Sequence, residues 1–99
     1  MDVTYQLQGV LFEWDDSKAQ TNIQKHGVTF EEAAEVFFDP FHQTGDASVN
    51  ENEERDFIIG YTFSQRLLLA VYTERDDRTR IISARAATRA ERIVYEEAN

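Results

Sequence analysis

Hydrophobic positions along this chain follow two rhythms, and cap and turn residues mark where one gives way to the other. "VLFEWD" (Val10 to Asp15) is a short apolar run, a strand, ending in a carboxylate suited to capping a helix. "DSKAQTNIQKHG" continues with helical spacing and stops at Gly27, the residue type that closes a helix in the left-handed conformation. Lys18, Asn22 and Lys25 recur at i, i+4 and i+7 and share one face, with Ala19, Ile23 and His26 as the adjacent stripe. "VTFEEAAEVFFDP" predicts a second helix. Thr29 and Glu32 form a capping box, Val28 and Ala33 are placed as its hydrophobic staple, and Asp39 before Pro40 disfavours continuation.

A polar, carboxylate-rich stretch from Phe41 to Glu54 reads as a loop with room for a short strand at its start. "RDFIIGYTF", "RLLLAVYTER" and "RTRIISARAA" then read as three strands, with Ser64-Gln65 and Asp76-Asp77 at the hairpin turns. Thr88 and Glu91 form another capping box and open a final helix through about Glu97. The elements run β, α, α, three or four strands, α. They predict an α+β fold, with two N-terminal helices and a C-terminal helix packed on one face of an antiparallel sheet.

Length limits this to a single domain, residues 1–99. The chain has no cysteine, which excludes disulfides and cysteine-based zinc sites. No basic flank precedes an apolar run and no stretch approaches a membrane span, so the expected location is the cytoplasm, without membrane contact. A net charge of -9 argues against capture of a polyanion by the chain as a whole. Its distribution changes the picture: two lysines face twelve carboxylates up to Glu54, whereas eight arginines face seven carboxylates from Arg55 onward. The second half can offer a local cationic pocket, and the first half suits a basic protein partner.

Four arginines, Arg80, Arg85, Arg89 and Arg92, lie within "TRIISARAATRAER". Strict alternation on that strand points Ile81, Ser83 and Arg85 one way and Arg80, Ile82 and Ala84 the other, with Ile82 and Ala84 beneath the helices. Arg85 then emerges on the opposite face, while Arg80, at the strand's beginning, reaches around the edge. Arg89 falls in the first helical turn, where the dipole already favours anions. Planar guanidinium forks match phosphate, but pairing with the acidic majority is the competing fate. His26 beside Lys25 can transfer a proton or cap its helix. Tyr72 on a central strand can stack on a base or pack in the core. Two isolated histidines and scattered carboxylates make no metal site, and no cofactor motif is present.

"FEWDDSKAQTNIQKHGVTFEEAAEVFFDP" and "ERDFIIGYTFSQRLLLAVYTERDDRTRIISARAATRAERIVYEE" together resemble the BrnT family of bacterial type II toxins. The "KHG" after a "WD-x-x-K-x-x-x-N" helix, followed by "RIISAR-x-A-x-x-x-ER", carries the likeness. The resemblance implies a RelE-like fold and a ribonuclease that halts translation by cutting RNA, whether free or on the ribosome. It also implies a cognate, BrnA-like, DNA-binding antitoxin that neutralises the toxin in a hetero-oligomer. Carried onto this chain, it points to Lys18, Asn22, Lys25, His26, Glu54, Arg55, Arg75, Arg80, Ser83, Arg85, Glu91 and Arg92, of which Asn22 and Glu91 look structural. The expected catalytic set is Lys25, His26, Arg80 and Arg85, with the two arginines as a metal-free phosphate clamp. The expected RNA contacts are Lys18, Arg55, Tyr72, Arg75 and Arg89. The alternative is a weak or inactive toxin-like module that binds and co-regulates the antitoxin.

Overall fold

A computed structural model describes residues 1–48 and 54–98. Two strands, β1 (Asp2–Leu7) and β2 (Val10–Asp15), lead into α1 (Asp16–His26) and α2 (Phe30–Glu35), which runs on into a single 3₁₀ turn, Val36–Phe38. Four strands follow, β3 (Gln43–Asp46), β4 (Asp56–Tyr61), β5 (Leu67–Arg75) and β6 (Arg78–Ala86), and then α3 (Arg89–Ala98). They form one six-stranded sheet in the order β1-β2-β6-β5-β4-β3. Part of the loop expected between Phe41 and Glu54 lies outside the described residues.

The caps explain the helix boundaries. Asp15 accepts from the Lys18 N–H, and Gly27 closes α1 at φ 65°, donating to the Ile23 carbonyl at 2.8 Å. At α2, Thr29 and Glu32 make both bonds of the capping box. Asp76 and Asp77 both take positive φ in the β5–β6 turn, as a two-residue hairpin connection requires.

The sheet departs from expectation in three ways. It gains β1, which pairs antiparallel with β2 through a turn at Gln8 (φ 48°) and Gly9 (φ 82°). It is mixed and not purely antiparallel, because β6 returns alongside β2 in the same direction, pairing Phe12 with Thr79 and Glu13 with Arg80. The helices also divide between the two faces. Under α1 and α2 lies the main core, including Phe12, Trp14, Phe30, Ile58, Leu68, Ala70, Ile81 and Ala84. α3 instead packs through Tyr95 on Ile59 and Leu67, which alternate with Ile58 and Leu68 and so face the opposite way. The Tyr95 hydroxyl donates to Asp39 Oδ2 at 2.5 Å, and the Tyr61 N–H donates to the same oxygen at 2.8 Å. Together they tie α3 to the turn after α2.

α1 does more than cover the sheet. The β2–β6 ladder ends at Glu13–Arg80, and past that point no strand among the described residues pairs with this edge of β6. Asn22 takes the place of one. Its side-chain amide donates to the Ala84 carbonyl at 2.8 Å and accepts from the Ala84 N–H at 3.1 Å, while also donating to the Val28 carbonyl at 2.9 Å. A buried strand edge would otherwise leave both Ala84 groups unpaired. Asn22, not Ile23, therefore joins Ala19 on the buried side of the helix.

Candidate nucleic-acid interface

A bulge on β6 decides which arginines share a face. Tyr72 pairs with Ile81 and Val71 with Ser83, so Ile82 has no partner and the alternation shifts by one residue. Arg80 opposes Thr73, Ser83 opposes Val71 and Arg85 opposes Leu69. Thr73, Val71 and Leu69 share a parity, so all three β6 residues lie on the face away from α1 and α2. Strict alternation had separated Arg80 from Arg85 and placed Ile82 in the core. In the structure Ile81 takes the core position at 2% exposure, and Ile82 turns toward the cationic groove.

Two adjoining hollows of about 310 and 250 Å³ form that groove. One runs between α1 and β6, and Lys18, Asn22, Lys25, His26, Ile82 and Ser83 are among the residues lining it. The other lies over β5 and β6, with Lys18, Glu54, Arg55, Thr73, Arg75, Arg80 and Ile82 around it. Lys18 and Ile82 border both, making the pair continuous. Of the residues expected at the site, Lys18, Lys25, His26, Arg55, Arg75 and Arg80 meet here.

Glu13 organises the arginines, and it was not among the expected residues. It sits in the middle of β2 at 5% exposure, opposite Arg80 in the register. Its carboxylate receives Arg80 at 2.6 Å, with Arg78 at 3.5 Å and Arg75 at 3.8 Å. A carboxylate this buried needs such partners, because desolvation alone would cost several kcal/mol. The signal was present in "VLFEWD": a charge inside an apolar strand calls for a cation across the ladder. From the solvent side, Asp2 takes the rest of the Arg80 fork, with Nη1 donating to Oδ2 at 3.2 Å and Nη2 to Oδ1 at 3.1 Å. These bonds from Arg80 hold the Asp2 carboxyl below its usual pKa.

Three expected residues stand elsewhere. Arg85 does not join Arg80 in one clamp; it lines a separate hollow of about 490 Å³ beside α3, with Phe57, Ile59, Leu69, Val71 and Val94. There Arg85 makes a bidentate pair with Glu91, at 2.7 and 2.9 Å. That pair, with the Thr88 N–H at 2.8 Å, pulls the Glu91 pKa down to about 2. Tyr72 is 8% exposed, and its ring stands edge-on to Phe37 at 4.9 Å, so it packs the core and offers no stacking surface to a base. Arg89 opens α3 and lines neither hollow of the groove. Arg92 pairs with Glu96 at 3.9 Å, an exposed i, i+4 contact of the kind that competes with phosphate for an arginine.

Among the described residues, no three histidine, aspartate or glutamate side chains are grouped as metal ligands, and no helix is long and apolar enough to cross a membrane. No match is found among curated proteins. A 1.1 Å crystal structure of the Brucella abortus ribonuclease toxin BrnT has a similar fold, at 23% sequence identity and a TM-score of 0.61. The similarity covers 77% of this chain and 94% of that one. The sequence profile described as "Ribonuclease toxin, BrnT, of type II toxin-antitoxin system" matches residues 14–91, from the end of β2 into α3 and across every residue lining the groove, but not Glu13 and Asp2, which hold Arg80. The chain therefore belongs to the BrnT family of ribonuclease toxins of type II toxin–antitoxin systems.

Proposed function

We propose that this chain is an active, metal-independent endoribonuclease that stops translation by cutting RNA in the groove between α1 and β6. The observation that supports this most is the convergence of Lys18, Lys25, His26, Arg55, Arg75 and Arg80 on one groove of a chain whose net charge is -9. An acidic protein gains nothing in solubility from such a cluster, whereas phosphate contacts dominate RNA affinity. Long-range attraction to free RNA is weak at this net charge. The substrate is therefore RNA presented at close range, as on a translating ribosome.

Cleavage without metal needs a base to take the 2′-hydroxyl proton, cations to hold the charge growing on phosphorus, and an acid to protonate the departing 5′-oxygen. Attack of the 2′-oxygen on phosphorus and loss of the 5′-oxygen leave a 2′,3′-cyclic phosphate. We assign the phosphate to Arg80, supported by Arg75 and Arg55, and the proton transfers to Lys25 and His26 on the facing wall. Lys18 guides the backbone between the two hollows. Arg85, assigned to the clamp from sequence, is reassigned to holding α3. The same proposal takes the fold as RelE-like and the antitoxin as a BrnA-like, DNA-binding protein that forms a hetero-oligomer with this chain in the cytoplasm.

The neutralisation of Arg80 by two carboxylates favours one rival, a weak or inactive toxin that serves mainly to bind its antitoxin. Purified protein is incubated with a defined RNA in EDTA and, separately, with translating ribosomes at the magnesium they require, and new ends are mapped by primer extension. Discrete cuts bearing cyclic phosphate are expected. Absence of cuts in both settings would favour the rival.

A further inference from the structure

Arg80 is held between two carboxylates of unlike character. Glu13 is buried, lies on a central strand, and grips the guanidinium from within at 2.6 Å. Asp2 is 55% exposed at the first position of the edge strand β1 and takes the solvent-facing side of the fork, Nη1 and Nη2 together. That side is where a phosphate would present two oxygens to the same two nitrogens. The Arg80 side chain is only 19% exposed while Asp2 is in place, so anion and Asp2 compete for it. Replacement is cheap on one side only. Releasing an exposed pair costs little, whereas removing Arg80 from Glu13 would strip a buried charge of its nearest partner. Asp2 also lies outside the family match, which begins at residue 14.

We propose that the Asp2 carboxylate is an intramolecular stand-in for phosphate at Arg80, and that β1 thereby sets how tightly the groove holds RNA. Glu13 keeps the guanidinium aimed during the exchange. This rests on the groove being the RNA site, and the test separates the two claims.

A short fluorescent 2′-O-methyl RNA, which the reaction cannot cleave, is titrated by anisotropy against the wild type and three variants, at several salt concentrations. Asp2→Asn should bind about two- to fivefold more tightly, the range an exposed ion pair allows. Glu97→Gln, the same charge change on the exposed face of α3, should leave affinity unchanged. Arg80→Ala should weaken binding about tenfold or more and lower the salt slope by roughly one phosphate contact. Should Asp2→Asn bind no better than the wild type, or no better than Glu97→Gln, while Arg80→Ala still weakens binding, the stand-in is overturned and the groove stands. Wild-type affinity in Arg80→Ala would overturn both.

Discussion

The face of the sheet away from α1 and α2 has two halves built on opposite principles. One half gathers Arg55, Arg75 and Arg80 around Thr73 and Glu13, beside an α1 wall carrying Lys18, Lys25 and His26. The other presents Phe57, Ile59, Leu69 and Val71 beneath α3, with Val94 62% exposed at its rim. The cationic half holds Arg78 and Arg80 of β6 and the apolar half Arg85, and each of these arginines meets glutamate. In the cationic half, Glu13 is buried and shared among three arginines, of which Arg75 and Arg80 line the groove. In the apolar half, Glu91 takes both nitrogens of Arg85 for itself and fixes the start of α3. The same pair of residue types lines a cationic groove in one place and makes a strut in the other. What decides is whether cations outnumber the carboxylate they share.

The contrast is broken most directly at Arg80. Arg80→Ala should lower cleavage by about 10²–10³-fold, the usual cost of a lost charge-stabilising contact, assayed where circular dichroism shows it folded, because stripping Glu13 of its nearest partner also costs stability. Next in size is Asn22→Ala, which unpairs both backbone groups of Ala84 beside the groove wall. Urea denaturation should show a loss of about 2–3 kcal/mol, because buried unsatisfied groups carry the full desolvation cost. Arg85→Ala, in the other half, should cost about 1 kcal/mol of stability and less than about fivefold in cleavage. Its partner provides an acid test. Glu91 has a folded-state pKa of about 2 against an ordinary 4.5, so its contribution is complete above about pH 4.5 and is lost as pH falls toward 2. Melting temperature followed over that window should drop less in Glu91→Gln than in the wild type. Val94→Ser, on the exposed rim, should change stability by no more than about 0.5 kcal/mol and leave cleavage alone.

Much of this was legible in the residue order. Both capping boxes, the Gly27 stop and the Asp76-Asp77 turn are local, and local chemistry announces itself. β1 was legible too and was overlooked: Val3, Tyr5 and Leu7 alternate with Asp2, Thr4 and Gln6, but Gln8-Gly9 is an unfamiliar hairpin turn. The parallel pairing of β2 with β6 depends on elements some 65 residues apart, and no spacing encodes it. Nor does any single residue announce the bulge at Ile82, and one extra residue there moves Arg80 to the other face. The bulge brings Arg80 and Arg85 to one face, yet they stand in separate hollows, because Glu91, a capping residue by pattern, engages Arg85. Gly45 shows the reverse case. A Cβ there would lie 2.4 Å from the Phe57 ring, so the glycine is what lets Phe57 lie across β3 in the apolar half, a requirement visible only once the strands are paired.

The most direct test is alanine substitution across the whole face, with ends mapped on translating ribosomes in magnesium and on free RNA in EDTA. Cleavage should be lost at Arg80, weakened at Arg75, Arg55 and Lys18, and retained at Arg85, Leu69 and Val94. Loss confined to Arg85 and its neighbours, with Arg80→Ala still cutting, would contradict the account and place the chemistry under α3.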